Sequence, residues 1–104
     1  MKQITDSTFK NEIASADIAL VMFSAPWAGP CAVARPGYEA VAARYGNQIA
    51  FGEFSLDDNP KIPEKYGVKG IPAFYLMRRG VPEVVKVGAV SEELLLELCQ
   101  QALE

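Results

Sequence analysis

Apolar positions along this chain fall into two rhythms. Ile18 to Phe23 is apolar at every position, which predicts a strand covered on both faces and paired in parallel in the middle of a sheet. Ala73 to Met77 is equally dense and predicts a second buried strand, preceded by Gly70-Ile71-Pro72. Ile49 to Leu56 predicts another, with Ile49, Phe51 and Phe54 turned inward. Arg79-Gly80 marks a tight hairpin turn, after which Val81 to Val87 returns antiparallel. Pro82 near its start suits an edge strand, which need not donate there. Gln3 to Thr5 is a short first strand.

Between the strands the period changes to that of a helix. Asp6 is placed to cap a helix over Ser7 to Ala14, with Phe9 and Ile13 on one face. Ala32 to Tyr45 predicts a longer helix with Val33, Tyr38, Val41 and Ala42 as its inner face, a kink at Pro36 and a stop at Gly46. Asp57-Asp58-Asn59-Pro60 opens a short helix ending near Tyr66-Gly67. Ser91 caps the last helix, Glu92 and Glu93 favour its dipole, and Leu95, Leu98, Cys99 and Ala102 form its apolar stripe. The order β-α-β-α-β-α-β-β-α predicts an α/β fold, a mixed sheet of about five strands with helices on both faces.

Composition narrows the function classes. At 104 residues, one domain spanning 1–104 is expected. No apolar run is long enough for a membrane span, and the N-terminus lacks the apolar core of a secretory signal, so a cytoplasmic protein is expected. The net charge is −3 with no basic cluster, which argues against a nucleic-acid partner. There is no histidine, so imidazole acid–base chemistry and histidine metal ligation are excluded. Two cysteines cannot form a four-cysteine zinc site. Asp57-Asp58 reads as a solvated helix start, and neither a metal nor a cofactor is expected.

The candidate chemistry lies in Ser24-Ala25-Pro26-Trp27-Ala28-Gly29-Pro30-Cys31, the junction between the first buried strand and the long helix. It places Cys31 in the first turn of that helix, where unpaired N–H groups and the positive end of the dipole are expected. A thiol there can be reactive. In a Cys-x-x-Cys site the first cysteine would stand three residues earlier, where this chain has Ala28. Cys99 reads as core. A Cys31–Cys99 bridge is disfavoured because the two lie on different helices and a bridge needs closely spaced Cα atoms. Trp27, in a loop beside Gly29 and Pro30, is expected to be partly exposed and able to anchor a partner.

Trp27-x-Gly29-Pro30-Cys31, Pro36 five residues on, Asp57 with Asn59-Pro60, Tyr66-Gly67-Val68, Gly70-Ile71-Pro72 and Val87-Gly88-Ala89 follow one another as in thioredoxins. The chain resembles the thioredoxin family over nearly its whole length. The resemblance implies the thioredoxin fold, a cis peptide before Pro72 packed against the redox site, and a substrate-binding face bordered by Trp27, Gly29, Pro30, Ile71, Pro72 and Gly88. It implies dithiol–disulfide exchange with protein disulfide or thiol substrates, and a thioredoxin reductase as a further partner. A monomer is expected.

The chain departs from the family pattern at the site. Ala28 stands at the place of the nucleophilic cysteine, Met22 at that of a buried Asp, Glu53 at that of a Lys that often pairs with this Asp, and Ala32 lacks the basic side chain common after the motif. Cys31 is left as the resolving thiol without its attacker. Three readings follow. The first is a disulfide oxidoreductase whose cysteine has been replaced and whose exchange is abolished or strongly impaired. The second is a naturally redox-silent protein-binding module, and the third a monothiol or redox-sensing protein that uses Cys31.

Overall fold

The computed structural model describes residues 2–25, 27–57 and 59–104; Pro26 of the junction loop and Asp58 of the predicted helix opening lie outside them. At its centre is β2 (Ala19–Ser24), in which every residue is buried. It pairs in parallel with β3 (Ala50–Ser55), which pairs in parallel with β1 (Gln3–Ile4). On its other side β2 pairs antiparallel with β4 (Ala73–Arg78), and β4 with β5 (Val81–Val87). The result is a five-stranded mixed sheet in the order β1-β3-β2-β4-β5. Pairing on both edges and cover on both faces is why β2 tolerates no polar position along Ala19–Phe23.

Side chains alternate between the two faces of the sheet. On one face Leu20, Met22, Phe74 and Leu76 pack with α1 (Gly29–Tyr45) and α3 (Glu92–Ala102). On the other, Ala19, Val21, Phe23, Phe54, Tyr75 and Met77 pack against Phe9 and Ile13, with Ile62 and Tyr66 alongside. Each fully buried large apolar side chain contributes about 1.5–3 kcal/mol. In β3, Phe51 and Phe54 are an odd number of residues apart and belong to opposite faces.

Three expectations are corrected. The segment predicted as an α-helix over Ser7 to Ala14 forms turns followed by a π-helical segment, Lys10–Ala14. Phe9 and Ile13 are still buried, but Asp6 caps a different element. Its carboxylate accepts the N–H groups of Lys61 (3.1 Å) and Ile62 (2.9 Å), at the start of α2 (Lys61–Lys65). A capping side chain binds whichever helix start tertiary packing brings to it. Second, α1 begins at Gly29 rather than Ala32. Third, its inner face is Cys31, Ala34, Tyr38 and Val41, whereas Val33 is 74% exposed. At 100° per residue, Val33 lies about 200° from Cys31 and faces solvent. Gly46 stops α1 as expected, with a right-handed φ of −60°.

The remaining elements agree with the pattern. Pro36 lies inside α1. Arg79 (φ 50°) and Gly80 (φ 80°) form the β4–β5 turn, with the positive φ values that match strand twist in tight hairpins. Ser91 Oγ caps α3 by accepting the Leu94 N–H at 3.2 Å, and Leu95, Leu98, Cys99 and Ala102 are buried as one stripe. Among the described residues no helix is long and apolar enough to cross a membrane.

Candidate functional site

One row of the sheet register fixes the site. Phe23 of β2 pairs with Ala73 of β4, and Ala73 with Val87 of β5. The end of β2, the start of β4 and the end of β5 therefore lie side by side. The segments that continue from them are the loop to Cys31, Ile71–Pro72 and Gly88. Ser24 pairs with Ser55, which brings Asp57, two residues beyond β3, to the same end. The carboxyl end of a central strand in an open α/β sheet is the usual place for a site.

Ile71–Pro72 is cis. Pro72 is buried and its carbonyl accepts the Gly88 N–H at 2.8 Å. Gly88 has φ 107°, a conformation a side chain would strain, and it turns the chain away from β5. Ala28 and Ile71 are partly buried against the core cluster that contains Cys31, while Gly29 and Pro30 are exposed. Trp27 is 73% exposed and is held by its edge: Nε1 donates to Asp57 Oδ1 at 3.0 Å. The indole face is left open to solvent.

At the start of α1 the donor inventory is smaller than the sequence suggests. The Ala28 N–H bonds to Ala25 O and the Cys31 N–H to Ala28 O, each at 3.1 Å, and Pro30 has no N–H. Of the four donors that a helix start leaves over, Gly29's is the one without a partner among the described residues. Ala28 is the N-cap and supplies no side-chain acceptor. Cys31 is fully buried with a free thiol.

A polar set lies under α1 on the same face of the sheet as Cys31. Glu53 is 6% exposed and is the register partner of Met22. Its carboxylate accepts Arg35 Nε at 3.0 Å and Nη2 at 2.6 Å, and the Ser24 hydroxyl at 2.7 Å. Burial by itself would raise the Glu53 carboxyl, but the Arg35 and Ser24 hydrogen bonds and the Arg35 charge outweigh it and hold the group below its ordinary value. The Glu53 hydrogen bond raises Arg35 in turn, opposed by burial and aided by the charges of Glu53, Cys31 and Glu39. Deeper in, the Tyr38 hydroxyl lies 2.7 Å from Leu20 O and 2.6 Å from Gly52 O and accepts the Gly52 N–H at 3.2 Å. Burial raises its pKa.

The second thiol is elsewhere. The Ala102 carbonyl accepts Arg78 Nη2 at 3.1 Å, which fixes the end of α3 beside the end of β4. That is the opposite end of the sheet from Ile71–Pro72. Cys99, less than one turn before Ala102, is fully buried there, and burial pushes its thiol up to about 11.

The fold thus brings Trp27, Ala28, Gly29, Pro30, Cys31, Ile71, Pro72 and Gly88 to one end and leaves Cys99 out. Sequence reasoning missed Arg35 and Ser24. A signal for Arg35 was present, since it follows Cys31 by four residues and so shares its side of the helix. Ser24 showed only as a polar residue closing an apolar strand.

Comparison with known proteins agrees with this architecture. The thioredoxin family model matches residues 1–101. The chain is 36% identical to a thioredoxin of Rhodospirillum rubrum over 98 residues, covering 93% of this chain and 94% of that one. It is 35% identical to thioredoxin 1 of a Nostoc species over 102 residues, 97% and 95% of the two chains. Against a thioredoxin of Allochromatium vinosum the identity is 39% over 93 residues, 88% and 87% of the two. The chain belongs to the thioredoxin family.

Proposed function

We propose that this chain engages protein thiols and disulfides at the sheet end bordered by Trp27, Gly29, Pro30, Ile71, Pro72 and Gly88, and that its exchange chemistry stops halfway. The family supports a thiol–disulfide oxidoreductase kind of function acting on protein thiols. In such exchange a thiolate attacks one sulfur of a disulfide R–S–S–R′, forms a mixed disulfide with R and expels R′–S⁻. A second thiol must then attack the mixed disulfide to release R and close an internal disulfide. Cys31 can supply one of these thiols. Ala28 has no sulfur to supply the other, and Cys99 is buried at the far end of the sheet. A mixed disulfide on Cys31 is therefore reversed only by an external thiol. The absence of a second thiol at this end of the sheet carries the reading.

Reduction of insulin by dithiothreitol tests it. The chain is expected to add nothing to the rate of dithiothreitol alone, and a clearly higher rate overturns the reading. Ala28→Cys is expected to form an internal disulfide on mild oxidation and to gain reductase activity, because Gly29-Pro30 keeps the two-residue spacing at the helix start. Failure to form it would show that this loop is not a dithiol site.

A second reading, a redox-silent binding module, is favoured by the Ser24–Glu53–Arg35 set. These side chains satisfy one another, whereas a single replacement at position 28 would leave the charge arrangement of a dithiol site unaltered. In that reading the face works without covalent chemistry, with the exposed Trp27 as its anchor. Either reading is of one thioredoxin domain over 1–104, acting as a cytoplasmic monomer with protein partners, and the first reading adds a thioredoxin reductase to them.

A further inference from the structure

We infer that Arg35 is a positioning residue for the Cys31 thiolate, held one helical turn beyond it by the Glu53 carboxylate and the Ser24 hydroxyl. The inference rests on Cys31 being the reactive thiol of the site.

Cys31 and Arg35 are four residues apart on α1, the separation at which helical side chains are neighbours. The Arg35 guanidinium is not free to swing into solvent. Nε and Nη2 both donate to Glu53, at 3.0 and 2.6 Å, and a two-point fork of this kind fixes the plane of the group. Glu53 is fixed in turn from below by Ser24 Oγ at 2.7 Å. Its register partner Met22 belongs to the same core cluster as Cys31, so the pair is anchored beneath the Cys31 end of the helix. A cation one helical turn from a thiol favours its thiolate. The other titratable groups around this region are Tyr38 and Glu39 on α1, Glu92 and Cys99 on α3, and Lys86 on β5 opposite Phe74. None of these is tied to the α1–β3 pair by a hydrogen bond among the described residues.

The arrangement has a consequence that packing alone lacks. The Arg35 cation favours a negative charge on Cys31 and the Glu53 carboxylate opposes it. Removing one or the other must move the thiolate population in opposite directions. A purely structural pair, when broken from either side, would loosen α1 and move it in the same direction.

The test uses the whole protein labelled with 13Cβ-cysteine, with the thiolate-to-thiol ratio of Cys31 read by NMR at one mildly alkaline pH. Arg35→Met is expected to lower the ratio about threefold, and Glu53→Gln to raise it about threefold. Arg35→Lys, which keeps the charge, is expected to return most of the ratio. Cys99 serves as the internal reference. Shifts of the same sign in Arg35→Met and Glu53→Gln, or no shift, overturn the inference. If Glu53→Gln does not fold, the Arg35 variants decide: Lys behaving like Met overturns it, and Lys behaving like the unaltered chain supports it. Site-resolved alkylation with iodoacetamide separates this from the reading on which it rests. If Cys31 reacts no faster than Cys99, Cys31 is not the reactive thiol, while the NMR ratios still decide the role of Arg35.

Discussion

The two faces of the sheet are built on different principles. The face under the π-helical segment and α2 is an aromatic core. Phe9, Phe23, Phe54, Tyr66 and Tyr75 form a chain of contacts with ring centroids 5.0 to 6.5 Å apart. Its polar atoms sit at the margin, where the Tyr75 hydroxyl donates to Tyr66 O and the Tyr66 hydroxyl to Gly80 O. The face under α1 and α3 is also apolar overall, yet it contains Cys31, Cys99, the Tyr38 hydroxyl and the Ser24–Glu53–Arg35 set. Among the described residues, no buried side-chain N or O atom lacks a partner. The difference teaches that this fold places its buried ion pair on the face that leads to the site, and that the pair is tolerated there because its oxygen and nitrogen atoms have hydrogen-bond partners.

The largest effect is expected from the aromatic face. Phe54 is fully buried and contacts both Phe9 and Phe23. Phe54→Ala is expected to lower stability by about 3–5 kcal/mol, measured by urea denaturation, with the Cys31 alkylation rate of the folded protein unchanged. A large change in that rate would break the separation of the two faces.

Glu53→Gln comes next, at about 1–3 kcal/mol, because it leaves the Arg35 guanidinium paired with a neutral amide. Here pH sharpens the comparison. The carboxyl is held below its ordinary value in the folded protein, so its stabilisation is present above that ordinary value and is lost as pH falls through the folded one. The unaltered chain should therefore lose more stability on acidification than the Glu53→Gln variant. Parallel acid profiles would mean that the ion pair contributes nothing.

Tyr38→Phe keeps the ring contacts with Phe51 and Phe74 and removes only the hydroxyl between β2 and β3. A loss of about 1–2 kcal/mol is expected, together with faster amide exchange at Gly52, which loses its acceptor. Unchanged exchange there would show that the hydroxyl does not join the strands.

The smallest stability effect belongs to Trp27. Its indole is mostly exposed, so Trp27→Ala should change stability by less than about 0.5 kcal/mol. Binding of a protein partner at the site, measured by calorimetry, should weaken far more if the open indole face is an anchor. Equal binding by the two proteins would remove Trp27 from the proposed face.

The fold class, the five strands and the α3 stripe were legible in the sequence pattern, whereas the grouping of Trp27, Cys31, Ile71–Pro72 and Gly88 came only as an implication of the resemblance to thioredoxins. Apolar density along Ile18 to Phe23 can be satisfied only by cover on both faces, and turn and cap residues act within a few positions of themselves. Ala28 was equally legible, because a missing sulfur is a property of one residue and needs no geometry. Tertiary structure alone decided what depends on which distant groups meet. Asp6 caps α2, 55 residues away, because Lys61 and Ile62 arrive beside it. Val33 faces solvent because α1 rolls onto the sheet through Cys31, Ala34, Tyr38 and Val41. Glu53, the one charged residue of β3, is stable there because α1 delivers Arg35 and β2 delivers Ser24 to it. Patterning reports which side of an element is buried, but a buried charge is stabilised or destabilised by its partners, and those come from elsewhere in the chain.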